Sequence, residues 1–501
     1  MTAIITEKFR SHNADQFFES FTEASGNAYY LMIGKPNAFT TATSGGTDES
    51  PPTPADDISS EFYVWDSSFA AKKIASTNIT YAIPRRNFVD GTVYDMYEDN
   101  INSSNATTSG ATNIFDSEYF FKTSDNRVYK VLDNNSGAAY SGAEPTSEST
   151  SSFVLGGYTL KYMYAITASE QATFLTTDFM PVSTDTTVSA AAVNGAIESI
   201  IITNVGSGLT NGTYYAAVYG DGTSAGTSSG AIVKIIVASN VISALSLGSL
   251  GSDIQQAGAG YTFGTVNLGS GFTFSDTDLS SASAIGGSSA AISVVISPKG
   301  GHGSNAITEL GGHYVMLQTS LEGTDNDDFL TGNDFRNINL VVDPTTFGTS
   351  TVGTASTFRT TYAMKFSGSP GTFTADEVIT QTNSDSVVAT GTVVEYDSTL
   401  KILYYQHERF GGVGTLASTG GLNLFSGTGT VTGASSSAAG TPDETADSAV
   451  SLAGGNTITF TDGFANPELQ PDSGNIIYRE NRKPISRATD QTEDIKIIVE
   501  F

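Results

Sequence analysis

The chain has 501 residues, no cysteine, and 23 basic against 52 acidic side chains, a net charge of −29. Its length suits about two to four domains, and its acidity argues against contact with nucleic acid or anionic membranes. Without cysteine there are no disulfides, thiolate metal sites or cysteine nucleophiles, and 52 glycines with only 15% charged residues point to short strands and small-residue turns.

The N-terminus, M-T-A-I-I-T-E-K-F-R-S-H-N, lacks a sustained apolar run, and nowhere do eighteen apolar residues follow one another. Neither an export leader nor a membrane anchor is expected. Residues 3–9 read as extended. Asn13 with Gln16 makes a capping box, so a helix is predicted from there to about Ala24, with Phe17, Phe18 and Phe21 on one face. Residues 29–33 form an apolar strand ended by Gly34-Lys35-Pro36, and 45–57 is a Ser/Pro/acid loop. Residues 61–75, with Phe62, Val64, Trp65 and Phe69, read as a second helical or irregular packing element. I-T-Y-A-I-P-R-R follows at 79–86. Strands at 118–123 and 127–132, joined by Ser-Asp-Asn, predict a β-hairpin, and 158–166 is aromatic and β-prone, leading to Phe179-Met180-Pro181-Val182.

The texture changes near residue 185. V-G-S-G-L-T-N-G-T-Y-Y at 205–215 and A-G-A-G-Y-T-F-G-T-V at 257–266 are two related units, downstream of apolar strands at 199–203 and 241–247. They predict a small repeat-built β module. From about 348 to 469 a second Gly/Ser/Thr-rich segment carries strands at 372–381, 386–396 and 400–405, read as a meander, while 426–441 is nearly structureless in composition. The end of the chain, from Ile476, Ile477 and Tyr478 to Ile495, Ile497, Val499 and Phe501, forms two strands around a charged crossing. The whole reads as mainly β with minor α: sandwich- or barrel-like modules with few short helices.

Chemical motifs are sparse. His302, Glu309 and His313 are close in sequence but lack H-E-x-x-H spacing and a third ligand, so a structural role is expected. Residues 323–334 are acidic and glycine-flanked, similar to one calcium-binding nonapeptide turn. A single copy reads as a solvated turn. Gly206-Ser207-Gly208 lacks the rest of a phosphate loop. No G-x-S-x-G elbow, Ser/His/Asp set or distinct carboxylate pair stands out. In so acidic a chain a carboxylate pair for glycoside cleavage stays open at this point. Its notable basic spots are Arg85, Arg86, Arg479, Arg482, Lys483 and Arg487. The expectation is that guanidinium forks bond Glu480, Asp490 or Glu493 and pin the terminal strand against the Ile-Pro-Arg-Arg element. Contact with acidic neighbours in an assembly is the other use for these arginines.

The terminal segment has Tyr478, Glu480-Asn481-Arg482, Pro484-Ile485, Asp490-Gln491-Thr492-Glu493 and a closing apolar strand. With Ile83-Pro84-Arg85-Arg86 before Asn87-Phe88, and Phe335-Arg336-Asn337-Ile338 running into Asp343-Pro344, it resembles the baseplate wedge protein of T-even-like, contractile-tailed bacteriophages. The resemblance covers 1–184, 291–347 and 471–501, leaving 185–290 and 348–470 as two inserted β modules. It implies a non-enzymatic structural subunit of the virion tail baseplate, without metal or cofactor, assembled in the host cytoplasm. In that family two copies sit in each of six wedges and join the inner wedge to peripheral, fibre-carrying proteins. A homodimer contacting other wedge proteins is therefore expected, with no nucleic acid and no membrane. A tail fibre or adhesin, or a carbohydrate-binding host-contact protein, is the alternative, and a polysaccharide-degrading tail enzyme is a further rival. A fibre predicts a trimer and a repetitive shaft, which the sequence does not show.

Overall fold

The computed structural model describes residues 5–23, 26–41, 45–226, 230–247, 256–266, 268, 285–382, 387–409 and 422–501. It is mostly antiparallel β with a few short helices. The chain divides into two compact units. One holds residues 1–16, 80–316 and 498–501, the other 17–79 and 317–497.

The first helix, Glu7–Thr22, starts six residues before the predicted cap. Thr6 begins it: the Phe9 amide donates to the Thr6 carbonyl at 2.9 Å and lies 3.3 Å from its hydroxyl. Asn13 is thus inside the helix, and residues 7–9 are helical, not extended. Ala3, Ile4 and Ala24, also part of those expectations, lie outside the described residues.

In the first unit, the predicted hairpin forms from Phe120–Lys122 and Arg127–Asp133, with Phe121 opposite Tyr129, and Tyr158–Ala165 and Phe153–Leu155 complete a four-stranded sheet. Alternation along these strands fills a core on each face. Phe120 and Val128 pack with Met163, Tyr164 and Leu310, while Phe121, Tyr129 and Val131 pack with Tyr140, Tyr158 and Leu160. Both faces are covered, so Lys130 in the central strand is fully buried.

The strands Ser199–Ser207 and Ser288–Val295 pair antiparallel, Ser207 opposite Ser288. Gly212–Gly220, Ile232–Ala238, Val241–Leu247 and Gly264–Val266 form the neighbouring four-stranded sheet. The two related sequence units have matching backbones. Gly206 and Gly208 have φ of 73° and 66°, Gly258 and Gly260 of 62° and 75°. Each pair is followed by a buried residue, Leu209 or Tyr261, in one shared core, and then by a strand beginning at Gly212 or Gly264. A Cβ at Gly206 would lie 2.7 Å from Ala290, and one at Gly258 2.6 Å from the Tyr261 ring, so both positions require glycine.

In the second unit, a five-stranded sheet runs in the order Thr357–Arg359, Ser68–Lys73, Tyr29–Gly34, Phe335–Val342, Asn475–Ile485. Val342 faces Asn475 and Ile338 faces Glu480. Phe17 and Phe21, one helical turn apart, close on Tyr29, with ring centroids 5.8 and 3.7 Å away. Residues 61–75 resolve into the end of a helix, Ile58–Ser67, capped by Asp57 accepting from the Ser60 amide, and the strand Ser68–Lys73. The predicted meander is present as Val378–Thr382, Val388–Asp397 and Ile402–His407, within a seven-stranded sheet. Ser386, given to that meander, lies outside the described residues. Residues 426–441 are not structureless. Val431–Gly433 pairs with Ala439–Gly440, and the Glu377 carboxylate holds the turn by accepting from the Ser435 and Ser436 amides at 3.1 and 2.9 Å. The crossing between Asn475–Ile485 and the last strand, Thr492–Glu500, is polar, and Ile495 and Ile497 are buried as the alternation requires.

Candidate functional site

The charged residues singled out from sequence find different partners. Arg336 leaves its strand as a fork on Asp48, Nε to Oδ1 2.9 Å and Nη2 to Oδ2 3.0 Å, while Nη1 donates to the Pro36 carbonyl. Only arginine offers this planar double contact. It holds the Asp48 carboxyl below the usual carboxylate range and ties the Ser/Pro/acid loop to the central strand. Arg487 has a fully buried side chain. Its Nε donates to Glu493 at 2.8 Å and its Nη2 to the Gly323 carbonyl at 2.5 Å.

Arg85 and Arg86 do not reach the terminal strand, which corrects the expected pinning. Arg85 donates to the Thr176 carbonyl at 2.7 Å and to Asn87. The Arg86 carbonyl accepts from the Lys122 amide, so the chain there runs beside Phe120–Lys122, and its guanidinium lies 4.4 Å over the Phe120 ring. Among the described residues it makes one hydrogen bond, 3.2 Å to the Phe115 carbonyl. Glu480 accepts from the Tyr478 hydroxyl at 2.8 Å, Arg482 stands 3.6 Å from Glu480 in an exposed pair, and Asp490 is exposed.

Arg479 instead lines a cavity of about 600 Å³ in the second unit, together with Lys35, Tyr63, His407 and Arg409. Lys35 follows the strand Tyr29–Gly34, its ammonium buried, its pKa lowered by burial and by Arg336 and supported by Asp376 and Asp48. Arg409 is held by Asp66, 2.7 Å, and Asp472, 3.1 Å. Sequence reading found only Arg479 of this set, because its members come from four separate stretches of chain.

In the first unit, His302 and Glu309 meet at Lys130. Lys130 Nζ is 3.0 Å from Glu309 Oε2 and 3.0 Å from His302 Nδ1, and 3.9 Å over the Tyr97 ring. Glu309 also accepts from the Gly303 amide at 2.7 Å. His313 stands apart, 3.6 Å from Glu7. Burial, with Lys130 and Lys161, pushes His302 well below the ordinary imidazole range, so it is neutral. The carboxylates of the acidic loop diverge. Asp325 pairs with Lys72 at 2.9 Å, Asp327 accepts from the Gly454 amide, and Asp328 takes Thr357 and Asn456. Among the described residues no group of three His, Asp or Glu side chains is placed to hold a metal ion, and no helix is long and apolar enough to cross a membrane.

The described residues form a β-rich protein, with strands fixed by buried arginine and lysine contacts. Residues 3–138 and 448–501 match the family model described as Phage-Gp8: Bacteriophage T4, Gp8. A search of curated proteins finds no match. The family match supports a structural role in a phage baseplate. It takes in 448–470, read from sequence as part of the second insert, and leaves out 139–184 and 291–347.

Proposed function

We propose that this chain is a non-enzymatic subunit of the baseplate wedge of a contractile-tailed phage. It works as a homodimer, joins the inner wedge to peripheral, fibre-carrying proteins, and is assembled into the virion in the host cytoplasm. One observation carries the reading. The two stretches that match the family model, far apart in sequence, contribute strands to one sheet: Tyr29–Gly34 and Ser68–Lys73 from the first, Asn475–Ile485 from the second. Phe335–Val342 lies between them, which supports counting 291–347 with the scaffold.

The insert reading has similar support. Val295 faces Ser199 and Val342 faces Asn475, so each inserted stretch leaves and returns through paired strands. The second is the more deeply integrated, because Thr357–Arg359 forms an edge of the scaffold sheet and Phe358 and Leu469 join its core. Light scattering on the purified chain tests the assembly state. A dimer is expected, and a stable trimer would favour a fibre.

A further inference from the structure

We propose that the cavity behind Gly34 binds the carboxylate of an acidic peptide segment presented by a partner protein. Its floor is the Lys35 ammonium. Lys35 is 7% exposed, yet no carboxylate of the described residues lies within ion-pair distance, and the one hydrogen bond its ammonium makes to those residues is a long 3.4 Å to the Ala38 carbonyl. An ammonium carries three donors, and Asp376 and Asp48 act on this one only from beyond ion-pair distance, so most of its bonding capacity is unmet. The rings of Phe39 and Tyr63 stand 5.4 and 5.8 Å from Nζ, so the charge is framed by aromatic faces. Two further lining atoms, Asn37 Oδ1 and His407 Nδ1, are buried without a hydrogen-bond partner among the described residues.

Lys35 also has φ of 59°, the left-handed region that side-chain-bearing residues seldom occupy, and its amide donates to the Ser67 carbonyl at 2.9 Å. Strain of this kind gathers at ligand clamps. Arg479 supplies a second cation with no ion pair among the described residues, whereas Arg409 is already taken by Asp66 and Asp472. Glu408, also on the wall, is exposed.

The surface beside the cavity argues for a peptide over a free ion. Next to the lining residue Arg409, whose guanidinium lies 4.8 Å over its ring, Phe62 is 40% exposed, and Ile58, one helical turn away, is 71% exposed. This apolar strip can take a residue flanking the carboxylate. Pro52 and Pro54 stiffen the opposite wall, where the Pro52 carbonyl accepts from Asn481 at 2.8 Å.

The proposal goes beyond the wedge reading and is tested without it, on the isolated full chain. Acetyl-Gly-Leu-Glu-Gly-amide is titrated by calorimetry against its Gln counterpart, sodium succinate and sodium chloride at matched ionic strength. The Glu peptide is expected to bind at least about tenfold more tightly than the Gln peptide, and Lys35→Met and Arg479→Gln to weaken it by at least about tenfold each. Lys35→Met should melt no lower than the parent, since it removes a buried charge that has no contact ion pair among the described residues. If that variant misfolds, Arg479→Gln carries the test. Binding of succinate alone would overturn the peptide assignment. Equal binding of both peptides, or of neither, would overturn the carboxylate site.

Discussion

Arg487 Nε and Glu493 Oε2 lie 2.8 Å apart across the turn between the last two strands, with the guanidinium side chain fully buried and the carboxylate nearly so. The same guanidinium reaches back to the Gly323 and Phe329 carbonyls, so one residue joins the terminal turn to the loop that follows Tyr314–Glu322. Removing one partner of such a pair strands the other charge in the interior.

Arg487→Ala is accordingly expected to destabilise the second unit by about 3–5 kcal/mol. Chemical denaturation followed by hydrogen exchange over 475–500 checks this. Unchanged protection there would remove the turn from the account of what holds the terminus.

Arg86→Ala should cost about 1–3 kcal/mol, for one hydrogen bond and one cation–ring contact. The loss should appear as a lower melting temperature with self-association intact. A normal melt with lost association would assign Arg86 to an interface instead.

Lowering pH should weaken the second unit before most carboxylates titrate. Burial lowers His407 from 6.5 to about 3. Because its folded pKa lies below the unfolded one, the unfolded chain takes up the proton first. The stabilisation is complete above pH 6.5 and is lost as pH falls from there toward 3, by about 1.4 kcal/mol per pH unit for this group. His407→Gln should flatten that slope in melts taken between these limits.

Tyr261→Ala removes the largest side chain of the core shared by the two Gly-x-Gly turns, a change worth about 3–5 kcal/mol. Exchange should accelerate in Gly212–Gly220 and Ile232–Ala238 while Tyr29–Gly34 keeps its protection. Loss of protection in both would show that the first inserted stretch does not open by itself.

Strands with strong local patterns were legible in the sequence. The apolar run of Tyr29–Gly34 and the flanking strands around Ser-Asp-Asn declare themselves, as do the alternating Ile495 and Ile497. The helix start was not, because apolar residues before Glu7 imitate a strand and a single threonine sets the cap. The hairpin at 431–440 was hidden because the group that fixes its turn, Glu377, lies far upstream. The cavity was hidden for the same reason: Lys35, Tyr63, His407 and Arg479 have no common spacing, and only tertiary structure gathers them.

An electron cryomicroscopy map of the assembled tail tests the central claim most directly. The account predicts this chain in the baseplate, as two copies in each wedge, with Tyr29–Gly34, Phe335–Val342 and Asn475–Ile485 in one sheet. Density that placed it in a trimeric fibre, or a tail baseplate that lacked it, would contradict the account.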